Sequence, residues 1–576
     1  MNTLVRAGSG LLVLAASCFS FAADFDIVLR GGTVYDGNGK PPYIADIGIS
    51  DDKIAVIDKY VTTNKDIEPH PPSTSSLVGK VEINVHGLAV APGFINMLSW
   101  STESLLIDGA SQGDIRQGVT LEVFGEGSSM GPVSPVMRQQ MLDQQGDYRF
   151  DVSWNTLGEY LEHLQARGVA PNVASFIGAT TVRVHELGFT DRAPSAAELK
   201  RMQALVAQAM QEGALGVGSS LIYAPAFYAK TEELVALMQT AAAYGGTYIS
   251  HIRSEGNRLL ESIDELIHIA EQSGAPAEIY HLKVSGRENW HKYDAVVQKI
   301  EKARSRGVKI TANMYTYTAG STGLDAAMPP WVQEGGYEAW AARMQNPDIR
   351  QRVLTEMTTP TDTWENLYLA AGADKTLLVG FRNPDLRAYA GMTLAEVAAL
   401  RQKTPAETAM DLVIEDGSRV QVVYFLMSDE NVRKTVALPW VSFGSDARSM
   451  ATNGVFIKTS THPRAYGNFS RVLGKYTRDE GVLSLPNAIY KLTKLPAQNL
   501  NIKQRGELAP GFYADIAVFD PAKVRDHATY KDPHNYSTGM VHVFVNGQQV
   551  LRNGEHTGAL PGRVVRGPGW LGWQSP

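Results

Sequence analysis

The chain has 576 residues, 44% of them hydrophobic and 20% charged, with 53 glycines, 28 prolines and one cysteine. Apolar content of that order supports a large core, the glycines follow no three-residue period, and a lone thiol closes no internal bridge; disordered, collagenous and disulfide-stapled classes are excluded. Its 53 basic and 60 acidic residues leave a net charge of −7 with neither sign gathered into a block, which argues against nucleic acid as a partner.

Residues 1–22 read as a secretory signal peptide. Arg6 gives a short basic region, Leu11 to Ala16 an apolar run, and Ser20-Phe21-Ala22 places small residues at −3 and −1 of a cleavage site. Cys18 falls in this leader; lipid anchoring there is the weaker alternative, because Ala15 stands where a larger aliphatic residue is usual. No later stretch approaches the roughly 20 apolar residues of a transmembrane helix. A secreted or periplasmic location is expected, and the mature chain offers no thiolate as a metal ligand.

From Asp24 the pattern is β-like. Phe25 to Leu29 alternates, Arg30-Gly31-Gly32 reads as a turn, Thr33-Val34-Tyr35 resumes, and Ile47 to Ile49 and Ile54 to Ile57 follow. The same character returns in Ala514 to Phe519 and in Val541 to Val545, followed by the hairpin signal Asn546-Gly547. One small sandwich built from both chain ends is expected, over 24–91 and 496–576, with two independent β modules as the alternative.

Between them the periodicity becomes that of alternating strands and helices. Thr231-Glu232-Glu233 opens a helix with Leu234, Leu237, Met238 and Ala241 on one face, ended by Gly245-Gly246. The strand Thr247 to Ser250 closes on His251. A second helix carries Leu259, Ile263, Leu266 and Ile267 and stops at Gly274, and Glu278-Ile279-Tyr280 runs into His281. The 30-residue step between the histidines is that of one βα unit in a (β/α)8 barrel, roughly 250 residues divided by eight, whose strand C-termini form the catalytic face. Val119 to Phe124 leads likewise to Glu126, and Val441 to Ser445 leads to Asp446. The expected class is α/β, a TIM-type barrel over 92–495 with an excursion within about 321–440.

Two imidazoles and a carboxylate at a barrel mouth suit Zn²⁺ with an open position for water. Such an ion acidifies water and polarises a carbonyl, and an aspartate in the place of Asp446 can pass the proton to a departing amine. The alternatives remain hydrogen-bonded core histidines and a loop or helix-capping aspartate.

Several motifs together resemble the amidohydrolase superfamily: Ala91-Pro92-Gly93-Phe94-Ile95, His251-Ile252-Arg253-Ser254-Glu255, His281-Leu282-Lys283, Gly444-Ser445-Asp446 and the closing run Gly506 to Asp515. With Leu221 to Pro225 and His462 to Gly467, the match is closest to the N-acyl-D-amino-acid deacylases, in order from about residue 24 to 568. The resemblance implies a metal-dependent barrel that cleaves N-acyl-D-amino acids to a carboxylate and a free D-amino acid. It carries metal ligation onto His251 and His281, the acid/base role onto Asp446, and substrate-carboxylate binding onto Lys283 and Tyr223. Arg253 and Arg464 are further carboxylate binders by their chemistry, or else members of structural ion pairs.

The chain departs from that family where relatives continue Pro-Gly-Phe-Ile with an Asp and a His-x-His pair. Here Asn96-Met97-Leu98-Ser99-Trp100 stands, and neither Leu98 nor Trp100 binds zinc, so one ion is expected rather than two. A cysteine that commonly joins the later histidines is also missing; Glu126, six residues before Pro132, is expected in its place, with Glu122 next should the strand register shift. Asn96 and Ser99 are placed near the metal-bound water, His462 or His185 at the mouth, His163 and His268 on helices, and Tyr315-Thr316-Tyr317 along an acyl pocket or in ordinary packing. Alternative substrates are cyclic amides or dipeptides with a D-residue; a barrel that only binds a ligand is the non-enzymatic alternative. If the leader is removed as expected, intact-mass analysis of protein recovered from its native compartment gives a chain beginning at Ala23; a mass retaining Met1 overturns that reading.

Overall fold

The computed structural model describes residues 24–60 and 76–573. The expected leader and Cys18 therefore lie outside the described residues. Strands from both chain ends join one nine-stranded sheet: Phe25–Val34, Tyr43–Ser50, Lys53–Lys59, Gly79–Asn84 and Ala89–Pro92 with Ile516–Phe519, Met540–Val545, Gln548–Arg552 and Glu555–His556. The seam is the antiparallel pairing of Ala89–Pro92 with Ile516–Phe519. Leu29, Ile47, Ile49, Val90, Ile516, Val518 and Phe544 from both ends fill a common core, which excludes independent modules. Arg30-Gly31-Gly32 is not the turn expected. It is an irregularity inside one long strand, where the register against Tyr43–Ser50 shifts between Leu29 and Gly32. Asn546 and Gly547 form the expected hairpin, both with positive φ.

Among the described residues, eight parallel strands follow in ring order: β1 (Phe94–Asn96), β2 (Val119–Phe124), β3 (Asn172–Ser175, continued at Ile177–Gly178), β4 (Gly216–Ser220), β5 (Thr247–His251), β6 (Ala277–Ile279), β7 (Ile310–Met314) and β8 (Val441–Phe443). The ring closes beyond β8. Met97 N–H donates to Phe443 O at 3.2 Å, Asp446 N–H donates to Leu98 O at 2.9 Å, and Ser99 bridges Ala447 in parallel. Ile95, Met97, Leu121, Val123, Ala174, Phe176, Leu215, Ile249 and Tyr280 pack the interior, so the barrel is filled and its chemistry is confined to the strand ends.

Helices Thr231–Ala242, Leu259–Ser273 and Tyr293–Ser305 fall between successive strands as the 3.6-residue periodicity requires. Thr231 is the first helical residue, and its hydroxyl donates to Glu265 Oε1 at 2.8 Å instead of capping its own helix. Leu259–Ser273 stops at Gly274, whose left-handed backbone ends the helix as glycine permits. Between β7 and β8 the chain builds a three-stranded antiparallel sheet, Gly320–Gly323 and Thr376–Gly380 flanking Gln421–Tyr424, with helices around it. It returns through helix Asp429–Ala437 to β8.

The two-ended sheet is locked to the barrel by a buried polar cluster. Asp515 accepts from Arg505, from Asn172 Nδ2 at 3.2 Å and from the Asn546 amide at 2.8 Å, while its own carbonyl takes the Gly93 amide ahead of β1. Removing the carboxylate strands the Arg505 charge, which is only 7% exposed. Asp515→Ala is therefore expected to cost about 3–5 kcal/mol of unfolding free energy in denaturant titration; a loss under about 1 kcal/mol overturns this account of the junction.

Candidate metal centre

Four strand ends aim side chains at one point. Glu126 lies two residues past β2 between Gly125 and Gly127, both at positive φ. A Cβ at Gly125 would come 2.5 Å from Phe176 O, so the bend that turns Glu126 inward needs glycine. His251 ends β5. His281 follows β6 with φ of 34°, a left-handed conformation costly for a residue with a side chain, and its amide is held by Asn313 Oδ1 at 2.9 Å. Asp446, after β8, is also left-handed at 50° and is pinned through its amide to Leu98 O.

Glu126 Oε1 lies 3.0 Å from His251 Nδ1 and 2.8 Å from His281 Nε2, and ligand atoms of the three residues lie within 4.8 Å of one another. All three are buried. The other Glu126 oxygen accepts from Trp100 Nε1 at 3.0 Å, and the same N–H lies 3.0 Å from Asp446 Oδ1. Asp446 Oδ2 faces Arg464 Nη1 at 2.9 Å. Behind His281, Glu255 Oε1 is 3.1 Å from Nδ1 and accepts from Lys283 Nζ at 2.5 Å, and Lys283 Nζ is 2.6 Å from the same imidazole nitrogen.

The electrostatics follow from this crowding. Burial pushes the Glu126 carboxyl up, but His281 and His251 outweigh it and hold it well below the usual carboxylate range. Burial and Lys283 push His281 down, yet Glu126 and Glu255 bring it up to about 9, so the pocket favours positive charge at this point. Burial lowers His251. Burial also raises Asp446, with Arg464 opposing and Glu126 adding to the rise. His251 Nε2 is buried with no hydrogen-bond partner among the described residues. Two imidazoles, one carboxylate, an orphaned ring nitrogen and a local preference for positive charge fit a divalent transition-metal ion.

Glu126, His251, His281 and Asp446 are thus brought together. Lys283 is adjacent but engaged with Glu255. Tyr223 packs edge-on to His251, ring centroids 5.3 Å apart, and Arg464 stacks 4.3 Å above the Tyr315 ring. Arg253 is not delivered to this point: Glu265 holds its guanidinium at 2.9 Å, with the Phe227 and Ala229 carbonyls completing the set. Glu122 alternates away from the interior side of β2 and accepts from Ser99 and Ser111 hydroxyls at 2.6 Å each. Asn96 is likewise withdrawn, donating to Asp114 and to Ser445 Oγ, each at 2.8 Å, so neither Asn96 nor Ser99 reaches the metal ligands. His462 is spent on the Ala319 carbonyl, and His163, His185 and His268 lie on helices.

Sequence reasoning did not assign Glu255, the donor role of Trp100, or Arg419, whose guanidinium lies 5.0 Å over the Tyr223 ring. Glu255 follows His251 by four residues, and that spacing was the available signal. Arg419 comes from the excursion, where no strand-end rule locates it.

A profile of the amidohydrolase family matches residues 81–551, and the chain belongs to that family. It is 32% identical over 545 residues to a D-aminoacylase of Alcaligenes xylosoxydans xylosoxydans, covering 94% of this chain and 97% of that one. A solved D-aminoacylase with a binuclear metal centre, described by one-metal activation and second-metal attenuation, superposes with a TM-score of 0.75 at 30% identity, covering 94% of this chain and 100% of that one. The N-acyl-D-glutamate deacylase of Bordetella bronchiseptica, solved with zinc and a phosphonate mimic of the tetrahedral intermediate, gives 0.74 at 26% identity over 94% and 99%. The barrel with a β-sandwich and the hydrolase class follow from this membership.

Asn313 links two buried groups, the His281 amide and Glu278 Oε1 at 2.9 Å. Asn313→Ala is expected to cost about 1–3 kcal/mol and to weaken divalent-metal binding by roughly tenfold or more, read by denaturation and by chelator competition. Unchanged metal affinity contradicts the positioning of His281 by this side chain.

Proposed function

We propose that this protein is a metal-dependent deacylase that hydrolyses the amide of N-acyl-D-amino acids to a carboxylate and a free D-amino acid, with one zinc ion held by Glu126, His251 and His281. The convergence of those three side chains with Asp446 on the catalytic face of the barrel carries the reading. A zinc ion held by these residues would supply a water of lowered pKa and polarise the acyl carbonyl.

The chain's own groups complete the reaction. Asp446, raised by burial, accepts the proton of the attacking water at its carboxylate and delivers it to the departing amine nitrogen as the C–N bond breaks. Arg464 and Trp100 grip its two oxygens and fix its aim. Lys283, Tyr223 and Arg464 supply the donors for the substrate carboxylate. Arg253 is left out of this set because Glu265 and the Phe227 and Ala229 carbonyls hold it away from Glu126, His251 and His281. A secreted or periplasmic location belongs to the same proposal, resting on residues 1–22.

The test is metal content with turnover. Purified enzyme is expected to hold about one zinc and to prefer N-acetyl-D- over N-acetyl-L-amino acids. His251→Ala is expected to lose the ion and on the order of a thousandfold or more in kcat/KM. Metal-free protein that hydrolyses these substrates at the wild-type rate, or a preference for L substrates, overturns the proposal.

A further inference from the structure

Two carboxylate oxygens from the two strands that flank β1, Glu126 Oε2 after β2 and Asp446 Oδ1 after β8, both lie 3.0 Å from one atom, Trp100 Nε1. The remaining oxygens are committed elsewhere, Glu126 Oε1 to the two imidazoles and Asp446 Oδ2 to Arg464. Two carboxylate oxygens converging on one point, one of them buried and the other only partly exposed, form a cradle for a cation, because their mutual repulsion is relieved by positive charge between them. Here a neutral N–H sits at that point and is shared by both.

The placement is built in. Trp100 N–H donates to Ala447 O at 3.0 Å, and Ser99 pairs in parallel with Ala447, so the strand closure that seals the barrel also sets the indole between Glu126 and Asp446. We propose that Trp100 is a plug: its indole N–H occupies the point where a second ion would bridge Glu126 and Asp446, which holds the centre to a single metal and keeps Asp446 at a fixed offset from the metal ligands. Trp100 is thereby a positioning residue. The inference rests on the one-zinc reading above and adds the side chain that enforces it.

The experiment counts zinc. Wild type, Trp100→His and Trp100→Phe are stripped with chelator, reloaded with excess Zn²⁺, desalted and analysed by atomic emission. Wild type is expected to keep one ion. Trp100→His, which places an imidazole beside two carboxylates, is expected to keep close to two. Two ions in wild type overturn the plug, as does one ion in Trp100→His that is folded by circular dichroism. Should that variant not fold, Trp100→Gln is measured in its place: a second ion supports the plug and its absence overturns it. Trp100→Phe removes the N–H and keeps the bulk; kcat is expected to fall roughly tenfold or more with KM within about twofold, the pattern of lost transition-state alignment. An unchanged kcat overturns the positioning role. If wild type turns over no acyl-amino acid at all, the functional proposal fails, whereas the zinc counts still decide the role of Trp100.

Discussion

The Glu126 carboxylate is the constraint around which the site is arranged. A buried anion is tolerated only where its charge is answered, and here one oxygen lies between two imidazole nitrogens while the other takes an indole N–H. Those partners come from β5, from the turn after β6 and from the segment beyond β1, so the anion can be satisfied only if the ring of strands has closed. Folding and site assembly are therefore one event. The left-handed backbones at His281 and Asp446 are held by that closure, through Asn313 and through the Leu98 carbonyl.

Around this centre the charges form a second layer. Glu126, Glu255 and Asp446 are answered by Lys283 and Arg464, so three carboxylates face two fixed cations and one negative charge is left for a bound cation to offset. The same accounting separates the arginines. Arg464 faces Asp446, whereas Arg253, only two residues past His251, spends its guanidinium on Glu265 and two carbonyls. Proximity in sequence to His251 did not decide its role; its ion pair with Glu265 did.

Legibility in the sequence followed local periodicity. β2, β5 and helix Leu259–Ser273 were readable because alternation and 3.6-residue spacing are local signals, and the 30-residue step between His251 and His281 placed both on one barrel face. Glu126 was readable because Cys18 is the one cysteine of the chain and falls in the segment read as a leader, so an anionic ligand was expected to be a carboxylate. What the sequence left dark depends on contacts across the ring. Trp100 was seen only as a residue unable to bind zinc; its donor role exists because Asp446, 346 positions later, lies on its other side. Glu255 needed the position of Lys283, and Arg419 needed the excursion to fold back over Tyr223. The Arg30-Gly31-Gly32 turn was misread for a related reason, since a bulge and a turn share the same residues and only the partner strand distinguishes them.

X-ray absorption at the zinc edge of the zinc-loaded protein measures the ligands proposed at Glu126, His251 and His281. Two imidazoles and oxygen donors at about 2.0–2.2 Å are expected, with no sulfur shell near about 2.3 Å. A single imidazole, or three, would contradict the assignment of the ligands and with it the central place of Glu126.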